Sequence, residues 1–404
     1  MKTLLISLVS DQTIPNVQLI KELKSEVDDY IFISTIAMER KGCRKWIENA
    51  TEIKCLEAKI VEQFSFEDIV NKFNEIDLSS YSRVIVNLTG GTKIMTLAAH
   101  DFFKEEGAEI LYITGFGNEY IKVFPGKKKL LFSFETKITI PDYLKAYGFE
   151  YKVSEPSGIE FSYTQKLFDL YCKGAFSAHN DALLMLRAAR TKGIKAKDWN
   201  KFESVHELIS AIEFTPQKEN SLTDIEVKYL TGDWLEEFIG ISIKNELGLS
   251  SEELMIGTVI KKHLPESDKN PVKDLLGADV ELTELKPDNE IDVMFMLQGK
   301  FYTIECKTSI INTVIINDKP KEINILGETI YKADSLKNKF GLFANSYIFT
   351  LTSFHEYIQH SDKGVRKNRI SQMEELINRA SMSKITIADK YKIKNSTSFY
   401  ELLK

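Results

Sequence analysis

The apolar positions fall into three regimes along the chain. Over residues 1–140, β-branched apolar runs at 3–9, 30–36, 53–61, 84–88 and 110–114 alternate with helical patterns at 16–27, 38–50, 66–76 and 94–106. Continuous apolar strands separated by helices predict a parallel sheet covered on both faces. A hairpin follows, with strands at 120–124 and 130–134 about a turn at Pro125-Gly126-Lys127. Residues 141–223 change character. Pro141, Pro156 and Gly158 punctuate a connection, helical patterns run at 163–171, 178–189 and 203–213, and 215–220 reads as a linker. This predicts a small helical connector, with a winged helix as one candidate arrangement. From 224 to 404 the order is a helix at 225–247, strands at 255–260, 290–297 and 301–308, a helix at 328–340 and a strand at 346–352. That order predicts an α/β unit with a mixed sheet.

Composition narrows the function classes. The 404 residues are 43% hydrophobic and 28% charged, a globular balance with room for two or three domains. No stretch is long and apolar enough to span a bilayer, and the start reads as a buried first strand, so no membrane partner is expected. Cys43, Cys55, Cys172 and Cys306 form no C-x-x-C pair and the six histidines are scattered, which argues against structural zinc and fits reduced thiols in a cytoplasm. The net charge of −6 argues against constitutive coating of nucleic acid. It leaves room for an enzyme that touches a few phosphates in one cleft.

The densest chemistry lies between Glu290 and Lys307. Two strand-like runs flank Gln298-Gly299, a turn signal. With a two-residue loop, Leu297 pairs with Lys300, which sets Asp292 opposite Glu305 and Glu290 opposite Lys307. Carboxylates facing each other across a hairpin, roughly 5 Å apart at Cβ, repel. A divalent cation removes that penalty, and carboxylate oxygens suit Mg²⁺ or Mn²⁺. Lys307 projects from the same face as Glu305, where an ammonium can position water or neutralise charge on a phosphorane. An ordinary polar stripe is the competing reading. A three-residue loop would remove the opposition.

In the first domain, Ser10-Asp11-Gln12-Thr13 follows the first strand, and Thr89-Gly90-Gly91-Thr92-Lys93 follows the 84–88 strand and opens a helix. Such loops sit at the carboxyl edge of a parallel sheet, where α/β folds bind ligands. Glycines, a helix N-terminus and Lys93 favour a phosphate-bearing ligand. Neither G-x-x-x-x-G-K-[ST] nor G-x-G-x-x-G is present, so ATP hydrolysis and dinucleotide redox chemistry are unsupported. Gly115-Phe116-Gly117-Asn118 forms a third polar loop beside them.

Two resemblances join these regions. Asp292 with Glu305-Cys306-Lys307 resembles the core of the PD-(D/E)XK nucleases, although no proline precedes Asp292. That resemblance implies a restriction-endonuclease-like domain, and a further Glu on a preceding helix falls on Glu236, with Glu237 as the alternative. The implied catalytic set is Glu236, Asp292, Glu305 and Lys307, and the implied metal ligands are Glu236, Asp292, Glu305 and Cys306. Tyr331 and Lys332 lie on a later helix, where ordinary surface roles are the favoured reading. The two N-terminal loops resemble those of a Rossmann-like CARF domain, and the whole chain resembles the CARF-fused CRISPR ancillary nucleases. Membership implies a homodimer holding cyclic tetra-adenylate through Ser10, Asp11, Gln12, Thr13, Thr89, Gly90, Gly91, Thr92 and Lys93. It also implies a Mn²⁺- or Mg²⁺-dependent endonuclease of type III CRISPR defence that nicks DNA or cuts single-stranded RNA or DNA. A ligand-responsive regulator with an inactive nuclease domain is the alternative.

Overall fold

The computed structural model describes residues 2–115, 118–126, 130–155, 157–173, 179–262, 289–316, 319–359 and 363–403. Phe116, Gly117 and Lys127, named above as turn residues, lie outside them. The N-terminal sheet contains β1 (Thr3–Leu8), β2 (Asp29–Ser34), β3 (Glu57–Ile60), β4 (Arg83–Asn87), β5 (Glu109–Ile113), β6 (Glu119–Phe124) and β7 (Leu130–Ser133). Their order is β3-β2-β1-β4-β5-β6-β7. The first five are parallel, and β6 and β7 add an antiparallel ribbon at one edge. Every β1 residue is buried, as a central parallel strand requires.

Two local expectations change. The helix expected over 38–50 is two helices, Ile36–Lys41 and Cys43–Thr51, because Gly42 turns left-handed at φ 86° and closes the first. The strand expected from residue 53 starts only at Glu57, since the Cys55 N–H is taken by Glu48 Oε1 at 2.9 Å.

The second sheet runs β15-β14-β11-β10-β9-β8. It comprises β8 (Phe149–Val153), β9 (Leu254–Lys262), β10 (Asn289–Leu297), β11 (Lys300–Lys307), β14 (Ala344–Thr350) and β15 (Ile385–Ala388), while β12 (Ile311–Ile316) and β13 (Lys319–Asn324) pair separately. Strands β8 to β11 are antiparallel, and β14 returns parallel to β11 after helix Leu326–Lys339. This is the expected helix, hairpin, helix, strand order with a mixed sheet.

The expected connector is helical but has no core of its own. Leu167, Leu183, Leu186, Val205 and Leu208 pack in one cluster with Leu235, Phe238, Ile239, Val293, Phe295 and Ile304 of the C-terminal unit. Strand β8, from within the connector, extends the C-terminal sheet through Phe149↔Lys262 to Val153↔Thr258. Among the described residues of 141–223, β8 is the one named strand, and a single antiparallel bridge joins Ile194 to Leu222.

A second cluster crosses the two sheets. It holds Leu5, Val9 and Ile20 together with Tyr143, Tyr147, Met294, Met296, Phe301, Leu336 and Phe340. The helix Ile140–Ala146 is wedged in this seam, with Tyr143 stacked 4.5 Å from Phe301. Burial of several large side chains at about 1.5–3 kcal/mol each makes the seam part of the fold.

Candidate active site and ligand edge

The turn between β10 and β11 is the two-residue loop the sequence predicts. Gln298 and Gly299 have φ 50° and 75°, and the ladder runs from Leu297↔Lys300 to Val293↔Ile304. The next step brings Asp292 and Glu305 together. Asp292 is 5% exposed and Glu305 is 7% exposed. The Cys306 backbone N–H donates to Asp292 Oδ2 at 2.7 Å.

Two lysines balance these charges. Lys307 Nζ lies 2.6 Å from Glu305 Oε1 and 3.5 Å from Asp292 Oδ2. Lys332 Nζ donates to both Glu305 oxygens, at 2.9 and 2.7 Å. Burial and then the nearby Glu305 push the Asp292 carboxyl up to about 6. Burial opposes charge on Lys307, but Asp292 and Glu305 outweigh it and hold its pKa above the ordinary value.

Glu236 belongs to the same electrostatic group. It sits in the first turn of helix Trp234–Leu247, which follows a π-helical turn at Tyr229–Asp233. Burial, then the charges of Asp292, Asp233 and Glu290, raise its pKa well above that of an ordinary carboxyl. Thr231 in that turn accepts from Thr308 Oγ1 at 3.3 Å, tying the helix start to the end of β11. Glu237 faces elsewhere and accepts from Ser157 at 2.9 Å. Of the two neighbouring glutamates, Glu236 is the one turned to the cluster.

Cys306 faces the cluster through its backbone and not through its thiol. Its side chain packs with Ile304 and Phe349 in the hydrophobic core, and burial raises the thiol pKa well above normal. A protonated, core-facing thiol is a poor metal ligand. Its backbone carbonyl, 3.1 Å from Lys307 Nζ, is the Cys306 group that faces the cluster. Among the described residues, no three His, Cys, Asp or Glu side chains stand close enough together to hold a metal ion. The donor chemistry nevertheless suits a hard cation: Asp292 and Glu305 are buried carboxylates whose present counter-charge is ammonium.

Sequence reasoning treated Lys332 as surface. Its reach to Glu305 depends on how helix Leu326–Lys339 docks on the sheet, which local spacing does not encode. Tyr331, beside it, is 73% exposed and points away.

At the other end, the loops after β1 and β4 interlock. A Cβ on Gly90 would stand 2.0 Å from the Leu8 carbonyl oxygen, so only glycine permits this approach. Asn16 Nδ2 donates to Leu8 O at 2.9 Å, and Asn87 Nδ2 donates to Asn16 Oδ1 at 2.7 Å. Thr89 Oγ1 donates to Asn87 Oδ1 at 2.7 Å and accepts from Ile113 N at 2.9 Å. Thr92 caps helix Lys93–Glu105, accepting from Met95 N at 3.3 Å and donating to Gln63 O at 2.9 Å. Lys93 is exposed at the helix start, where its charge adds to the positive helix end.

Thr13 requires a correction. It is fully buried and its hydroxyl donates to Ala146 O, so its side chain is committed inside the protein. Ser10, Asp11, Gln12, Thr89, Gly91, Thr92 and Lys93 retain exposure at the edge. Lys41, not anticipated from the sequence, pairs with Asp11 at 2.8 Å and brings a second cation there.

The fold and these two sites define a two-part protein, a doubly wound domain with a polar loop edge joined to a mixed-sheet domain with a buried acidic cluster. Residues 4–143 match the family model of the Card1 CARF domain, so the N-terminal domain is of CARF type. The whole chain is similar in structure to protein VC1899 from Vibrio cholerae, with TM-score 0.66 and 15% identity over 97% of this chain and 95% of that one. It is equally similar to Can2 from Sulfobacillus thermosulfidooxidans in complex with cyclic tetra-adenylate, with TM-score 0.66 and 20% identity over 97% of both chains. At these identities the likeness shows a shared fold. No curated protein matches the sequence. Among the described residues, no helix is long and apolar enough to cross a membrane.

Proposed function

We propose that the protein is a homodimeric, metal-dependent nuclease of type III CRISPR defence, switched on by cyclic tetra-adenylate at the N-terminal loop edge. The observation that carries the catalytic half is the burial of Asp292 and Glu305 against Lys307, with Glu236 desolvated beside them. The sensing half is supported by the CARF match over residues 4–143 and by the fold shared with Can2, which was solved with cyclic tetra-adenylate. A two-fold symmetric ring suits a dimer that presents the same loops twice.

In this reading Asp292, Glu305 and the Cys306 carbonyl would hold Mn²⁺ or Mg²⁺, and Glu236 would join them only by moving in from its helix, since the three carboxylates do not yet stand close enough together. The ion would supply Lewis-acid polarisation of a phosphodiester and acidify its bound water. Lys307, kept protonated by the carboxylates, neutralises charge building on the phosphorane oxygens. Lys332 fixes the direction of the Glu305 carboxylate.

One observation favours the alternative, a ligand-responsive regulator with an inert nuclease domain: Lys307 and Lys332 both pair with Glu305 and compete for its oxygens. Incubation of supercoiled plasmid, single-stranded DNA and single-stranded RNA with Mn²⁺, with and without cyclic tetra-adenylate, separates the readings. Ligand-dependent cleavage absent in Glu305→Ala supports the nuclease. Ligand binding with all three substrates intact would favour the regulator.

A further inference from the structure

The loop carrying Gln12 does more than line the ligand edge. Gln12 Oε1 accepts from the Leu342 backbone N–H at 2.9 Å and from the Tyr147 hydroxyl at 3.2 Å. Leu342 follows the C-terminal end of helix Leu326–Lys339. Between them, Gly341 has φ 78°, and a Cβ there would lie 2.1 Å from Tyr147 Oη and 2.6 Å from Gln12 Oε1. The joint is therefore closed to any side chain. Tyr143 Oη donates to Phe340 O at 2.8 Å, so a second hydrogen bond from the seam grips the same helix end. Phe340 is fully buried against Phe301 and Phe149.

The other functional residue on this helix is Lys332. It lies roughly two turns before the gripped end, about 12 Å along the axis at 1.5 Å per residue. Its ammonium holds both oxygens of Glu305. A helix is stiff on this scale, and a packed seam transmits displacement as rigid-body shift. Gln12 and Glu305 are thus the two ends of one continuous connection: loop, Leu342 amide, helix and Lys332.

We propose that Gln12 is a positioning residue that reports occupancy of the ligand edge to the Glu305 carboxylate, through helix Leu326–Lys339 and Lys332. This deepens the proposed function and rests on it. Ligand pulling on the Ser10–Asp11–Gln12 loop shifts the Leu342 end of the helix and moves Lys332 Nζ relative to Glu305. Gln12 then acts inward, toward Leu342, in place of the outward ligand contact its loop position implies.

The test uses full-length protein and two substitutions. Gln12→Met keeps length and removes the acceptor, and Tyr147→Phe removes one donor while keeping the ring in the seam. Cyclic tetra-adenylate affinity is measured by calorimetry, ligand-stimulated cleavage by plasmid nicking, and backbone amide exchange is followed over 326–343 with and without ligand. Gln12→Met is expected to bind ligand within about threefold of wild type yet lose stimulation by about tenfold or more, the scale of a typical allosteric coupling. Tyr147→Phe is expected to lose roughly two- to fivefold, as one neutral hydrogen bond of several. In wild type, ligand should change exchange over 326–343, and Gln12→Met should abolish the change. Loss of binding in proportion to loss of stimulation would overturn the proposal and make Gln12 a ligand contact. Unaltered stimulation in both variants would also overturn it. Wild-type protein that binds ligand but cleaves nothing defeats the nuclease reading alone. The exchange difference between wild type and Gln12→Met then decides the joint.

Discussion

The N-terminal loop edge and the C-terminal acidic cluster are built from opposite materials. At the edge, the structural groups are neutral: backbone carbonyls, the amides of Asn16 and Asn87, and the hydroxyls of Thr89 and Thr92, each closed into hydrogen bonds within the domain. Its cations, Lys41 and Lys93, stand outside that framework in solvent. The cluster inverts this arrangement. Its carboxylates are buried at the sheet and are balanced by two lysines reaching in from different elements. A neutral, satisfied loop edge can be preformed and rigid at little cost. Buried carboxylates are costly to hold together to the extent that the two lysines leave their charge uncompensated.

The sharpest way to break this contrast is Glu305→Ala. Cleavage should fall by roughly 10³-fold or more, the scale expected when one member of a catalytic unit is removed, while calorimetry should find ligand still bound, with affinity shifted by no more than about the tenfold of the coupling. An equal loss of affinity would mean the two regions are not separable. Gly90→Ala attacks the other side. The added methyl meets the Leu8 carbonyl, and chemical denaturation should register a loss on the order of 1–3 kcal/mol. Ligand affinity should fall with it, because the two loops part.

Asp292→Asn tests that cost. The folded carboxyl is raised to about 6, above an ordinary unfolded value near 4. The folded state therefore holds the proton more tightly. The stability contributed by that proton is fully present below about pH 4 and is lost as pH rises through about 6. In metal-free protein at pH 8, Asp292→Asn should stabilise by about 1–3 kcal/mol, at roughly 1.4 kcal/mol per pKa unit. The gain should shrink toward pH 4, and thermal melts across that range follow it directly. A destabilised variant at pH 8 would mean the lysines fully relieve the charge. Thr92→Ala is the mildest case, removing a helix cap worth about 1 kcal/mol, and urea midpoints should resolve it.

The two regions also differed in how much the sequence revealed. The hairpin was legible because two strand-like apolar runs meet at Gln298-Gly299, a two-residue turn signal that fixes a register, and register fixes which side chains meet. The Gly90-Gly91 loop was read as open to a phosphate-bearing ligand; the packing of Gly90 against the Leu8 carbonyl was not legible. Strand β8 went unread even though Phe149-Glu150-Tyr151-Lys152-Val153 alternates. Prolines and glycine nearby marked the segment as a connection, and its partner β9 lies about a hundred residues away. The Lys332–Glu305 pair and the inward hydrogen bonds of Gln12 escaped the sequence for the same physical reason. These contacts are set by helix and loop docking across the molecule, to which local periodicity is blind. Thr13 resembled a ligand contact by position, and burial against Ala146 removed it.

The most direct measurement is the initial rate of plasmid nicking as cyclic tetra-adenylate is titrated at fixed Mn²⁺, for wild type and Glu305→Ala. The account predicts a wild-type rate that rises with ligand and saturates at one ligand per two chains, and a flat line at background for Glu305→Ala. A rate independent of ligand, or one that survives the loss of Glu305, would contradict it.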